Sequence, residues 1–292
     1  MGSNQKRAYI YAALAIFFWS TVATAFKIAL RYMNPAMLVM IASVTSFLVF
    51  FFLNVFNGKL KSLLNLSFRE YFSSAILGFL NPFLYYLILF KAYTLLPAQV
   101  AQPLNMVWPI VLVFFSIPIL HQKIGFRSFI ALFISFTGVY LISSQGKLFH
   151  PGQSNAVGVG LAIGSSLIWS VFFLLNTKDK KPETLKLLLS FFFSSLFIIL
   201  FNIITGNLDL PQKEGVMTGI YIGLFEMGFT FFFWMKALKL SKSADMISNF
   251  VYLAPFVSLI FIHYFVGEII FGTTYIGLIL IVFGIIFQKI RS

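Results

Sequence analysis

The sequence predicts an all-α integral membrane protein: ten transmembrane helices arranged as two inverted five-helix repeats, with both termini cytoplasmic. Three observations predict it. Apolar runs of spanning length fill nearly the whole chain, basic residues segregate to alternate loops, and residues of the first half recur in order in the second.

Of 292 residues, 60% are hydrophobic, 19% aromatic and 10% charged. A water-soluble fold has no way to divide such a composition between one core and a hydrated surface. A bilayer-spanning helix needs about 20 mainly apolar residues, and such runs recur from Tyr9 to Ile290 with short polar breaks. No stretch is left for a soluble catalytic domain. The breaks place the spans at 9–30, 36–56, 71–91, 97–120, 125–143, 155–176, 184–205, 216–236, 244–265 and 272–290. Turn or charge chemistry marks them at Asn34-Pro35, Asn57-Gly58, Leu96-Pro97, Gly146 to Asn155, Lys178 to Pro182 and Gly206 to Glu214. Lys6 and Arg7 precede a long apolar run without a small-residue cleavage site, so the first segment is expected to stay as a helix.

Alternate loops on the side of the N-terminus collect sixteen of the 21 basic residues, among them Lys59, Lys61, Arg69, Lys178, Lys180 and Lys181. The other side holds five: Lys27, Arg31, Lys91, Lys147 and Lys213. By the positive-inside rule both termini are cytoplasmic, and the span count is even. The formal charge of +13 therefore reads as a topology signal rather than as a nucleic-acid footprint.

Trp19-Ser20 in the first span recurs as Trp169-Ser170 in the sixth, and Lys91-Ala92 recurs as Lys236-Ala237. Pro109 and Pro255 then correspond, as do Gly138 and Gly284. The repeats are 1–146 and 147–292. Because each contributes five spans, an odd number, the second sits upside down relative to the first, an architecture that places a transporter's site near the midplane.

At these residues the sequence resembles the drug/metabolite transporter superfamily, in its EamA-like branch of bacterial ten-helix carriers. The resemblance rests on Trp19-Ser20 with Lys27 and, in the second half, on Ala237-Leu238-Lys239, Ser243-Ala244, Leu253-Ala254-Pro255, Gly267-Glu268 and Gly277 to Gly284. It covers essentially the whole chain. It implies a secondary carrier in the bacterial inner membrane, an exporter of amino acids or similar small polar metabolites that works by alternating access. Relatives commonly carry Glu after the fourth span; here Gln122 stands opposite Glu268 in the repeat alignment, so the first-half acid is absent.

Polar side chains within a span are costly and usually face the bundle interior or a wet cavity. Ser20, Thr24, Lys27 and Arg31 share one face of the first span; snorkelling to the interface is the alternative for the two cations. Glu226, the one acid deep within a span, shares an arc with Gly219, Gly223, Thr230 and Trp234. Intramembrane carboxylates carry protons, partner a substrate cation, or hydrogen-bond another helix. Asn81, Tyr85, Gln99, Gln102 and Asn105 lie in the third and fourth spans, with Pro82, Pro103 and Pro109 freeing backbone carbonyls nearby. Asn249 and Tyr252 occupy the ninth span, and Trp19, Trp108 and Trp169 supply aromatic walls. The substrate-binding candidates are therefore Trp19, Thr24, Lys27, Asn81, Tyr85, Gln99, Gln102, Asn105, Trp108, Trp169, Glu226, Thr230, Asn249 and Tyr252. By helix rise, Glu226 lies about 15 Å below the outer end and Lys27 about 5 Å. A zwitterion with its carboxylate toward Lys27 and its amine toward Glu226 spans that separation.

Cysteine is absent, which removes disulfides, thiolate metal sites and thiol nucleophiles. His121, His150 and His263 are scattered, so no metal or other cofactor is expected. No GxxxxGK[ST] signature points to ATP. The expected partners are a small-molecule substrate and membrane lipids, without nucleic acid; proton coupling and a homodimer are left open. Two other classes compete with a carrier. A lipid scramblase or channel would show a continuous polar track, and an integral-membrane lipid enzyme would need a nucleophile, base or metal cluster that these residues do not provide.

Overall fold

The computed structural model describes residues 3–121, 126–147, 154–241 and 249–289. Among these residues the chain is helical with no strand, as the sequence leads one to expect. The apolar helices are α1 (Ser3–Ala29), α2 (Pro35–Phe56), α3 (Phe68–Leu95), α4 (Ala98–Ile119), α5 (Phe126–Ser143), α6 (Ala156–Lys178), α7 (Glu183–Thr205), α8 (Lys213–Trp234), α9 (Phe250–Val266) and α10 (Gly272–Lys289). Seven of them, α1 to α4 and α6 to α8, are long and apolar enough to cross a membrane, and α5, α9 and α10 are shorter apolar helices. Large apolar side chains such as Phe52, Phe133, Ile204 and Phe283 point outward, the surface a bilayer requires.

Local chemistry sets the helix ends. Asn34 accepts from the Met37 N–H at 2.8 Å ahead of Pro35, whose missing N–H is harmless in the first turn of α2. Ser67 and Glu70 form a reciprocal capping box at the start of α3.

Four helices depart from plain α geometry, α9 through the 3₁₀ turn Asn249–Leu253 at its start and a π turn at Ile262–Val266. In α3 the segment Phe79–Leu84 is a π turn in which Asn81 leaves helical geometry (φ −149°, ψ 122°) ahead of a cis peptide bond to Pro82. In α8 a second π turn covers Ile222–Glu226. Helix α4 is interrupted at Met106-Val107, between Pro103 and Pro109, because the prolines withhold two N–H groups.

Packing follows a pattern. Helix α1 lies against α8 and α9, α6 against α3 and α4, α2 against α7, and α5 against α10. Advancing every helix number by five, with α6 to α10 wrapping to α1 to α5, returns the same set of pairs. Polar groups lace α2 to α7 along their length: Asn54 donates to the Thr184 carbonyl at 3.0 Å, Ser43 and Ser194 hydroxyls meet at 3.3 Å, and Asn202 donates to the Ala36 carbonyl at 3.3 Å. Between α5 and α10 the backbones touch. A Cβ built on Gly138 would lie 2.5 Å from the Gly277 carbonyl oxygen, and one on Gly277 would lie 2.5 Å from that of Gly138. Small residues permit such approach where lipid supplies no hydrophobic drive for helix association. Gly78 of α3 meets the Ser190 backbone of α7 in the same way, and Gly223 of α8 meets Ala42 and Thr45 of α2.

Candidate substrate-binding site

Where Asn81-Pro82 breaks α3, the helix restarts at Tyr85, a buried side chain. The Tyr85 hydroxyl donates to Asn105 Oδ1 of α4 at 3.1 Å. Asn105 Nδ2 in turn donates to Ser165 Oγ of α6 at 2.8 Å, and the Ser165 hydroxyl donates to the Ala162 carbonyl at 2.6 Å. This chain of bonds ties three helices together and fixes the Tyr85 ring. That ring lies 5.0 Å from the ring of Trp169, which lies 6.2 Å from that of Trp108, so α3, α4 and α6 share an aromatic wall. Ser170 holds the restart of α4 from the same side by donating to the Trp108 carbonyl at 2.9 Å.

Tyr86, adjacent to Tyr85 with ring centroids 4.7 Å apart, points across to α8. Its hydroxyl donates to Glu226 Oε1 at 3.0 Å, while the buried Oε2 of the same carboxylate has no hydrogen-bond partner. Buried polar atoms are rarely left unpaired. Ten buried side-chain atoms lack a hydrogen bond among the described residues, one of which, Asp179 Oδ2, is ion-paired with Lys181 instead, and five belong to predicted site residues: Thr24 Oγ1, Asn81 Oδ1, Gln102 Oε1, Trp169 Nε1 and Glu226 Oε2. Four of the five can accept hydrogen bonds, and three, on Asn81, Gln102 and Glu226, are carbonyl or carboxylate oxygens. Asn81 and Glu226 each stand ten residues before the Lys-Ala pair of their half, Lys91-Ala92 and Lys236-Ala237, and each lies in a π turn. Such turns are frequent at functional positions because they re-aim side chains within a helix.

Other candidates sit elsewhere. Lys27 is half-buried and donates to the Tyr93 and Leu96 carbonyls, both at 2.7 Å, where α3 ends. A cation there satisfies orphan carbonyls and the negative end of the helix. Gln99 joins the start of α4 to the segment before α10: Nε2 donates to the Ile269 carbonyl at 2.8 Å, and Oε1 accepts from Phe271 N–H and the Thr274 hydroxyl, each at 3.1 Å. Glu268 completes that joint, accepting from the Ala98 and Gln99 N–H groups at 2.6 and 3.1 Å. Thr230 spends its hydroxyl on the Phe225 carbonyl inside α8. Trp19 packs on Phe231 and Trp234, with ring centroids at 6.0 and 5.4 Å. Tyr252 is buried in the 3₁₀ turn Asn249–Leu253. The Asn249 side chain, Gln122, and Ser243-Ala244 lie outside the described residues.

Sequence reasoning did not single out Tyr86, Ser165 or Glu268 as site residues. Nothing in the sequence distinguishes Tyr86 from its neighbour Tyr85; only the crossing of α3 and α8 does. Ser165 lies in a small-residue stretch, Gly164-Ser165-Ser166, whose polarity in mid-span was the available signal.

Comparison with known proteins bears on the whole chain. Residues 6–144 and 156–288 each match the EamA-like transporter family. An uncharacterized transporter of Clostridium kluyveri is 23% identical over 290 residues, covering 96% of this chain and 92% of that protein. The uncharacterized transporter YvbV of Bacillus subtilis is 24% identical over 219 residues, 73% of this chain and 70% of that one. A solved crystal structure superposes with a TM-score of 0.68 at 19% identity, covering 97% of this chain and 96% of that chain, which establishes a shared fold.

Proposed function

Because the chain belongs to the EamA-like transporter family, we propose that it is a secondary carrier, working in export from a prokaryotic cell, of amino acids or similar small metabolites bearing an amine. The observation that carries this reading is the Glu226 carboxylate, held by Tyr86 on one oxygen and unpartnered on the other. A buried carboxylate asks for a cationic or hydrogen-bonding partner. Glu226 takes part in neither of the two ion pairs formed among the described residues, Lys181–Asp179 and Lys186–Glu183. A substrate ammonium supplies what is missing, and the rings of Tyr85, Trp108 and Trp169 cover the apolar part of the ligand.

The reading includes ten spans in two inverted halves with both termini cytoplasmic. It is supported by the helix pairing that survives a shift of five, by the reciprocal approach of Gly138 and Gly277, and by the placement of Asn81 and Glu226 at corresponding points of α3 and α8. In alternating access the halves rock about the central site. The Glu268, Gln99 and Lys27 hydrogen bonds, all at the α3–α4 and α9–α10 connections, then form the outer closure that opens when substrate leaves.

The experiment is a thermal-shift titration of purified protein with an amino acid, its decarboxylated amine and its deaminated acid. Stabilisation should follow the amine and disappear in Glu226→Gln. Equal stabilisation by the deaminated acid, or full stabilisation of Glu226→Gln by the amine, would refute the assignment.

A further inference from the structure

Away from the central site, a cleft of about 740 Å³ opens between the start of α3, the end of α6 and the start of α7. Four cations line it, Arg69, Lys178, Lys180 and Lys181, together with two carboxylates, Glu70 and Asp179. The carboxylates are already committed. Glu70 Oε2 accepts from the Ser67 N–H at 2.8 Å and from the Ser67 hydroxyl at 2.7 Å, closing the cap of α3. Asp179 Oδ2 pairs with Lys181 Nζ at 2.9 Å, both side chains buried, and Oδ1 accepts from the Lys181 N–H at 2.9 Å. Lys178 donates to the Ile119 carbonyl at 2.8 Å. Arg69 and Lys180 are exposed and make no hydrogen bond or ion pair among the described residues. The cleft therefore carries an excess of two positive charges, with two cations free to bind an anion.

The apolar part of the cleft specifies the kind of anion. Arg69, Phe72, Ser73 and Ile76 follow one another at helical spacing, so they form one face of α3 that begins basic and becomes apolar with depth. Phe72 is 59% exposed and Ile76 43%. A soluble phosphate would use the rim and leave this stripe bare. An amphiphile covers both, with its phosphate at Arg69 and Lys180 and its chain along Phe72 and Ile76.

We propose that this cleft is a binding site for an anionic phospholipid, its headgroup phosphate held by Arg69 and Lys180 and an acyl chain laid on Phe72 and Ile76. Basic pockets between helices at the membrane surface recognise such headgroups by charge and hydrogen bonding. The site itself is independent of the carrier reading. Only the leaflet from which it draws lipid, the cytoplasmic one, rests on the orientation proposed above.

The test uses the full-length protein in neutral detergent, where sidedness is absent, and reads thermal midpoint and lipid adducts by native mass spectrometry. Dioleoyl phosphatidylglycerol should raise the midpoint and give a one-lipid adduct, whereas dioleoyl phosphatidylcholine and inorganic phosphate should do neither. Arg69→Gln/Lys180→Gln should remove the shift and reduce the adduct at least tenfold; Lys59→Gln/Lys61→Gln, cations outside the cleft, should leave both unchanged. A shift retained by the first double variant, lost equally in the second, or reproduced by inorganic phosphate would overturn the proposal. An amine substrate can still bind Glu226 under any of these outcomes, so a failure here is distinct from a failure of the carrier reading.

Discussion

Tyr86 of α3 donates a 3.0 Å hydrogen bond to Glu226 Oε1 of α8, and this one contact joins the polar network of α3, α4 and α6 to the acid of the opposite helix. A hydrogen bond to a charged group is worth about 1.5–3 kcal/mol. Tyr86→Phe should therefore weaken amine binding by roughly 10- to 100-fold at equal expression, while Glu226→Gln should abolish it. Isothermal titration of both variants checks this. Unchanged affinity in Tyr86→Phe would mean that the hydroxyl does not position the carboxylate.

Glu268 should govern how readily the outer end opens. Its two bonds to the N-terminus of α4 combine capping with a favourable position at the positive end of the helix. Glu268→Ala should lower stability by about 1–2 kcal/mol, the usual range for a lost cap. It should also speed maleimide labelling of a cysteine placed at Gln102, below the joint. Labelling no faster than in the Glu268 parent would show that this joint does not control access.

The α5–α10 crossing should tolerate no side chain on either glycine. Gly138→Ala or Gly277→Ala brings a methyl group to about 2.5 Å from a carbonyl oxygen, and overpacking of this kind costs typically about 1–3 kcal/mol. Gly160→Ala, whose Cβ would meet nothing within 4 Å, is the matched control. Thermal midpoints of the three variants decide the matter. Equal midpoints for Gly160→Ala and Gly277→Ala would show that the helices separate freely.

Orientation is open to direct chemistry because the chain has no cysteine. Single cysteines at Ser62 and Gln153 should differ: an impermeant maleimide applied to intact cells should reach Gln153→Cys and spare Ser62→Cys. Equal labelling would overturn the charge-based topology.

The helices were legible because a bilayer demands one thing of every span, and Pro35, Pro97 and Gly206 end or begin helices wherever they fall. Azimuth was not legible. Lys27 reads as a site cation from its depth, but the carbonyls of Tyr93 and Leu96 reach it from another helix, and no periodicity in α1 carries that information. Gln99 likewise reads as a ligand contact, whereas it serves the connection before α10 through three hydrogen bonds. The π turn around Glu226 has no proline to announce it, unlike its counterpart at Asn81-Pro82.

The mutual contact of Gly138 and Gly277 limits how this molecule can be altered. Each glycine is crowded by the other's main chain and not by its side chain, so a larger residue at one position has no compensating smaller residue available at the other. Covariation cannot rescue the pair. A mutational library or an evolving lineage can explore side chains around the aromatic wall one at a time, but at this crossing it can keep both glycines or rebuild the whole helix pair, with no single-step path between.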